Sequence, residues 1–403
     1  MTIIIAVLGG ALVLFTLFDL VVTTLSAGRG AGPLTGRIAH TTWRLLRRVQ
    51  RTFGTPRPLV AGGPLILGTV ILHWVLLLIG GWSLVFGSPE VLRAVGDGSS
   101  VPVLTRMRYA ASIIIGRGSS TVQPAGDLYE LLEPVAALTG LAVLSLSIAY
   151  ALPVVQGVTE KRALAQYISS LGTTPGQILR RAWNGEDLGD LNLHLIALVP
   201  RVGAVAQNHL AYPIVHFFHS AERETALGPS IVALDEAITA NGLLAEGVAV
   251  KKTAIKPLRH SVTTFLDTLH LAFIQPVDVD VDEGDERMSA TFRELEEDGI
   301  PLADDARWEL SEEEVGRNRL LRGYLVHDGW GDADALDVSH GPLEPEEESG
   351  AEEDEGDVDD IEGVDDPKEA DDGDAVAAGD GEQTDVDEPR DEDASTDDET
   401  EAA

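Results

Sequence analysis

Three long apolar runs, separated by polar segments, dominate the first part of the chain. Thr2 to Leu25 is apolar apart from Asp19 and scattered threonines, while Leu65 to Phe86 and Pro134 to Val155 contain no charged residue. Each run reaches the roughly 20 residues that a helix needs to cross a bilayer core of about 30 Å. The pattern predicts three transmembrane helices. A cleaved signal peptide is the alternative for the first run, but no basic residue precedes Arg29.

The charges between these runs predict an orientation. Seven arginines and no acid lie between the first two runs: Arg29, Arg37, Arg44, Arg47, Arg48, Arg51 and Arg57. Because basic loops stay on the cytoplasmic side, we expect the N-terminus outside and the C-terminal part in the cytoplasm, in a multi-pass protein of the cell (plasma) membrane.

The basic loop contains an amphipathic stretch, Thr41 to Phe53. Helical spacing places Trp43, Leu46, Val49 and Phe53 on one face and arginines on the other. Such a helix is typical of an anionic membrane surface, although a connector packed on a cytosolic domain has the same pattern.

The segment between the second and third runs carries the candidate chemistry. Val103 to Ile115 predicts a short helix, and the letters GRGSS then break it. This plan predicts a re-entrant loop, since non-helical backbone at membrane depth is tolerated only where it lines a water-filled cavity or is buried in protein.

The order of span, short helix, Gly-x-Gly turn and span resembles the two-helix pore module of the potassium-channel-like ion channel family. Leu138 to Gly172, Leu210 to Ile238 and Arg319 to Trp330 are also similar to prokaryotic members that have an extra N-terminal helix and a helical cytosolic domain. The resemblance implies a homotetramer that conducts monovalent cations, potassium first among them, and it requires no cofactor.

The family's selectivity filter reads Thr-x-Gly-Tyr-Gly-Asp. In this chain Ile114 stands at the Thr, Ile115 at the variable position and Arg117 at the Tyr, while Ser119 stands at the Asp. Gly116 and Gly118 are the two positions that match the motif. The filter predicted by the resemblance is therefore a degenerate one, GRG in place of GYG.

Two readings of Arg117 stay open. Four guanidinium groups around one axis would oppose a cation by on the order of 1 kcal/mol each even when solvated. Alternatively Arg117 points away from the axis and bonds loop carbonyls from behind. On the inner helix, Gly140 is a candidate hinge, and Ser147 and Tyr150 are candidate pore-lining residues; close helix packing is the alternative for Gly140 and Ser147.

Residues 158–335 repeat apolar positions every three to four residues, which predicts an all-α cytosolic domain. His216 and His219 are expected on one helical face with Glu222 one turn on, and a packed histidine cluster is favoured over a metal site. The basic stretch Lys251 to His260 is either a solvated face or a site for an anionic ligand, a lipid headgroup or the acidic tail.

Residues 336–403 form a separate acidic segment. Glu344 to Ala403 holds 30 acidic and two basic residues, a charge of -28 within the chain's total of -37. Like charges and few apolar residues predict disorder, with solvation or binding of a basic partner as its role. Only five of the 29 basic residues are lysines, which suggests a salt-rich cytoplasm, and the acidity argues against nucleic-acid binding.

The sequence thus predicts an all-α membrane protein. Its parts are an N-terminal transmembrane helix (1–26), a basic connector (27–61), a pore module with a re-entrant loop (62–157), a helical cytosolic domain (158–335) and the acidic tail (336–403). No nucleotide-binding or nucleophile motif stands in a supporting context and the chain has no Cys, so we expect neither an enzyme nor a Cys-based metal site. The function expected is a cation channel, and the alternatives are a non-conducting scaffold or sensor with the same fold, or an anion pathway.

Overall fold

The computed structural model describes residues 2–25, 31–55, 57–278, 281–304 and 310–330, with the backbone alone for 281–288. The predicted acidic tail lies outside the described residues. The described chain is mostly helical, and three of its helices are long and apolar enough to cross a membrane: α1 (Thr2–Leu25), α4 (Gly62–Val85) and α6 (Asp127–Leu171). The three predicted transmembrane helices are therefore present.

Helices α1 and α4 pack closely along their lengths through small residues. A Cβ built on Gly9 would lie 2.6 Å from the carbonyl oxygen of Gly81, and one on Gly81 would lie 2.7 Å from Cγ2 of Val13. Contacts of this kind hold membrane helices together where lipid gives no hydrophobic drive to associate. The glycines here set the distance between the first two spans.

Helix α6 is much longer than the predicted third span. It begins at Asp127 rather than at Pro134 and continues to Leu171, 45 residues in all. Pro134 and Pro153 both lie inside it, so the expectation that Pro134 opens the helix is wrong, and Asp127 and Glu130 supply the acidic first turn. At 1.5 Å per residue its length is about 68 Å, roughly twice the hydrocarbon thickness of a bilayer.

Between α4 and α6 the chain forms β1 (Leu92–Ala94), α5 (Val103–Ile114) and β2 (Val122–Pro124). The two short strands pair antiparallel, with Arg93 opposite Gln123. This pair departs from the all-α expectation, and it joins the two ends of the segment that contains α5.

The basic connector folds into α2 (Pro33–Phe53) and the one-turn helix α3 (Arg57–Val60). Trp43 is 1% exposed, as expected for the apolar face, whereas Phe53 is 71% exposed. Phe53 is exposed because the protein packs against α2 upstream of its final turn.

The C-terminal part of the described chain is helical, with one isolated bridge between Leu244 and Leu302. Its elements are α7 (Pro175–Ala182), α8 (Leu191–Ala211), α9 (Leu227–Ala240), α10 (Lys252–Ala272), α11 (Val281–Glu297) and α12 (Glu312–Asp328), with short 3₁₀ turns at Pro213–Phe217, Arg223–Thr225 and Asn241–Leu243. Helix α9 is buried along almost its whole length, so it forms the centre of this core.

Candidate functional site

The loop after α5 ends the helix with a defined capping motif. The N–H of Gly116 donates to the carbonyl of Ile113 and the N–H of Arg117 to the carbonyl of Ser112, both at 2.8 Å. Gly116 has φ 76° and Gly118 has φ 64°. These two bonds and the left-handed Gly116 are those of a Schellman motif, in which a side chain at the glycine would be strained.

Beyond this cap the loop backbone is open. Among the described residues no backbone N–H donates to the carbonyls of Ile115, Gly116, Arg117 or Gly118. The Ser119 hydroxyl then accepts bonds from the N–H groups of Thr121 (3.3 Å) and Val122 (3.2 Å). Ser119 thereby fixes the turn into β2, while four successive carbonyls remain available to a ligand or to water.

Aromatic side chains hold α5 between the two neighbouring membrane helices. The Tyr109 ring packs edge-on against Phe86 with centroids 5.5 Å apart, and Trp82 stacks on Phe86 at 5.7 Å. The Trp82 indole N–H donates to Oγ1 of Thr139 on α6 at 3.0 Å. This cluster connects α4, α5 and α6 on one side of the loop.

Gly140 lies directly against the end of α5. A Cβ on Gly140 would overlap the carbonyl oxygen of Ile114, the first residue of the predicted filter. Any side chain there would have to displace backbone, not a flexible side chain. The structure therefore gives Gly140 a close-packing contact that couples α6 to the loop.

The other predicted residues of α6 face inward. Ser147 is 3% exposed and Tyr150 is 1% exposed, and the Tyr150 ring packs on Tyr212 with centroids 5.9 Å apart. These side chains lie inside the subunit rather than on the open side of α6, where Leu141, Ser145 and Gln156 are exposed. Sequence reasoning selected Ser147 and Tyr150 because they are polar within an apolar run, and the structure places both on the buried face of α6.

Arg117 is exposed at the tip of the loop. Within the described part of the chain its guanidinium makes no hydrogen bond to a loop carbonyl and no ion pair with Asp97, Asp127 or Glu130. The predicted bonding of Arg117 to loop carbonyls from behind is therefore not found in the subunit.

A buried carboxylate in α1 was missed as a site by sequence reasoning. Asp19 is fully buried; one oxygen accepts from the N–H of Leu34 at 2.8 Å. The other accepts from Oγ1 of Thr35 at 2.6 Å and the Trp74 indole N–H at 2.9 Å, with His73 Nε2 3.6 Å away. The carboxylate thus caps the start of α2 and joins it to α1 and α4. An acid inside an apolar run was the available signal.

A second polar cluster joins α2 to the C-terminal helices. His216 Nε2 lies 2.9 Å from His327 Nδ1, and His219 Nδ1 lies 3.6 Å from a carboxylate oxygen of Asp328. His216 is in a 3₁₀ turn and His219 follows it outside any helix, so the expected shared helical face is wrong; Pro213 starts the turn and ends the α-helical pattern. Among the described residues no group of three or more His, Asp or Glu side chains is arranged so that it could hold a metal ion.

Burial sets the protonation of this cluster. Burial, the nearby His327 and other positive groups lower the pKa of His216 well below its ordinary value. Burial also lowers the pKa of His327 to about 4 and that of His209 to about 3. Hydrogen bonding to His219 and nearby cations keep the pKa of Asp328 low despite its burial. Lowered pKa values favour the neutral form of His209, His216 and His327 in this cluster.

The basic stretch at the start of α10 is only partly free. Arg259 forms an ion pair with Glu314 at 2.6 Å and donates to Oγ1 of Thr239 at 3.0 Å. Lys251, Lys252 and Lys256 are exposed. The arginine is therefore structural, and the lysines form the solvated part of the stretch.

Comparison with known proteins adds one relative. The chain is 28% identical over 312 residues to the uncharacterized membrane protein YdjJ of Bacillus subtilis (strain 168), covering 77% of this chain and 89% of the relative. No family model and no solved structure matches the chain. With three helices able to cross a bilayer and this relative, the chain is a membrane protein.

Proposed function

We propose that the chain is a subunit of a homotetrameric, potassium-channel-like pore for monovalent cations, with GRG in place of the usual filter. The observation that carries the proposal is the short helix α5 held between α4 and α6 and ending in a glycine loop. Its four open carbonyls, from Ile115 to Gly118, are the kind of group that replaces an ion's water shell. One loop cannot enclose an axis, so the proposal requires several copies.

The proposed pore places different residues on the axis than the sequence suggests. Ser147 and Tyr150 are buried within the subunit, whereas Ser145 and Gln156 are polar residues on the exposed side of α6. A wholly apolar lining would exclude water from the pore. In the proposed tetramer Ser145 and Gln156 therefore keep the inner pore hydrated.

The proposed topology follows from charge. The arginines of α2 and the basic residues after the third span favour a cytoplasmic location for both segments, with the N-terminus outside. Because the chain has no Cys, single cysteines can be labelled cleanly. Ser120→Cys should react with an impermeant reagent on intact cells and Thr253→Cys only after lysis; the reverse pattern would contradict the orientation.

A non-conducting scaffold or sensor is the second candidate. It is supported by the Schellman cap, which engages the carbonyls of Ser112 and Ile113, and by the exposed charge of Arg117. The cap closes α5 with the N–H groups of Gly116 and Arg117, within the segment that the resemblance assigns to the filter, and the arginine stands where the family's filter has a tyrosine.

Ion flux from the purified full chain in liposomes tests these candidates. Potassium and sodium flux above empty liposomes is expected, and Arg117→Tyr is expected to raise potassium flux relative to sodium. Arg108→Tyr is the matched control, because Arg108 is exposed on α5 and the same charge is removed. No flux in either form of the protein would favour the scaffold, and flux of chloride alone would favour an anion pathway.

A further inference from the structure

Helix α2 leaves one arginine-rich face uncovered. Arg37, Arg44, Arg48 and Arg51 are exposed and follow one another at helical spacing. One large apolar side chain, Leu45, lies at the edge of this face and is 59% exposed. We call this set the arginine face of α2.

The opposite side of α2 is occupied by the protein itself. The Trp43 indole N–H donates to the carbonyl of His327 at 3.3 Å, and its ring lies 5.6 Å from that of Phe217. The Gln50 amide donates to the carbonyl of Gly329 at 3.3 Å. The apolar side of the helix therefore does not enter a lipid bilayer, which differs from an ordinary interfacial helix.

The arginine face has no acidic counterpart in the part of the chain that the structure describes. No ion pair is formed by Arg37, Arg44, Arg48 or Arg51 there, and the Arg44 guanidinium donates to the carbonyl of His40 and to Oγ1 of Thr41. Four like charges on one helix face repel each other unless anions approach them. The face is thus a surface for a negatively charged partner.

The position of α2 selects the partner. The helix begins at Pro33, shortly after α1 ends at Leu25, and Asp19 of α1 caps its start. It ends at Phe53, shortly before α4 begins at Gly62. Helix α2 therefore runs between the ends of two membrane helices, at the level of lipid headgroups.

We propose that the arginine face of α2 binds the phosphates of anionic phospholipids, with Leu45 at its edge inserted between acyl chains. Guanidinium groups suit this role because their planar fork matches a phosphate in two hydrogen bonds. On its arginine side α2 then contacts the bilayer surface. On its opposite side it contacts the C-terminal end of α12 and the 3₁₀ turn Pro213–Phe217. This inference does not depend on whether the protein conducts ions.

Native mass spectrometry of the purified full chain in detergent tests the proposal. Phosphatidylglycerol, phosphatidylcholine and inorganic phosphate are titrated separately against wild type and three variants. The first variant replaces three arginines of the face: Arg44→Gln, Arg48→Gln and Arg51→Gln. The matched control removes the same charge from α10: Lys251→Gln, Lys252→Gln and Lys256→Gln. The third is Leu45→Ser.

Wild type and the lysine control are expected to bind phosphatidylglycerol in preference to phosphatidylcholine. The arginine variant should lose about tenfold or more of its phosphatidylglycerol affinity, since each cation adds to the attraction of an anionic surface. The serine variant should weaken lipid binding without changing binding of inorganic phosphate.

Three results would overturn the proposal. Equal loss in the arginine variant and the lysine control would mean that only overall charge matters. Binding of inorganic phosphate as tight as that of phosphatidylglycerol would mean a soluble anion is the ligand. Unchanged lipid binding in the arginine variant, with its helical content intact by circular dichroism, would mean that lipids bind elsewhere.

Discussion

Replacing Gly140 with Ala tests the contact between α6 and the loop most directly. The new methyl group would overlap the carbonyl oxygen of Ile114, so the end of α5 or the axis of α6 has to move. Overpacking of this kind costs about 1–3 kcal/mol. Alanine in a helix recovers about 0.5–1 kcal/mol relative to glycine. These two terms give a net loss of stability of about 0–2.5 kcal/mol, and we expect the upper half of that range because the overlapped atom belongs to the backbone.

Gly68→Ala is the matched control. Gly68 lies inside α4, and a Cβ built there meets no atom within 4 Å. This variant should therefore be neutral or slightly stabilised, because only the helix-propensity gain remains. The assay is thermal unfolding of both purified variants in one detergent, followed by tryptophan fluorescence.

The two variants are expected to shift the unfolding midpoint in opposite directions, with Gly140→Ala lower by a few degrees. In the liposome assay Gly140→Ala should also alter flux, since the displaced Ile114 carbonyl begins the loop. An unchanged or raised midpoint for Gly140→Ala would refute the close contact and with it the rigid coupling of α6 to the loop.

Three further predictions concern the buried polar groups. Asp19→Ala leaves four donor groups without their acceptor and should cost at least about 3 kcal/mol. Asp19→Asn keeps one oxygen acceptor and should cost less; equal unfolding midpoints would contradict this. The pKa values of His216 and His327 are lowered, to about 4 for His327. Unfolded chains therefore bind more protons, and stability should fall as pH drops from about 6.5 towards 4. A flat midpoint across that range would refute it. Arg317→Met leaves the buried carboxylate of Asp235, 2.7 Å from the arginine, unpaired. The expected cost is about 3–5 kcal/mol, largely recovered by adding Asp235→Leu; no recovery would show another role for the pair.

The number and order of the main helices were predictable from the sequence wherever the apolar pattern of a segment determines its structure. Uninterrupted apolar runs gave the three membrane helices, and helical periodicity gave the C-terminal helices. The boundaries of α6 were not predictable, because its extension beyond Val155 is an amphipathic stretch that looks like a separate helix. Pro134 also suggested a helix start at a position where the helix continues.

The candidate site could be predicted in position but not in orientation. The GRG letters located the loop, and the glycines at 116 and 118 do adopt left-handed conformations. Which face of α6 is buried could not be read from its sequence, since a membrane helix is apolar on every side. The partners of Asp19 could not be predicted for another reason. Leu34 and Trp74 are distant from it in sequence, and they donate through a backbone N–H and an indole N–H, which are too common to identify a partner.

Helix α6 is continuous over 45 residues, so a bend within it displaces its far end. Pro153 lacks the N–H that would bond the carbonyl one turn earlier, so the helix is most easily bent there. The arm from Pro153 to Leu171 is about 27 Å long, and a bend of about 10° would swing its end by about 5 Å. Lys161 on this arm donates to the carbonyl of Phe218 at 3.0 Å, which ties the arm to the C-terminal helices. A small change of angle at Pro153 thereby becomes a displacement large enough to shift one helix past another.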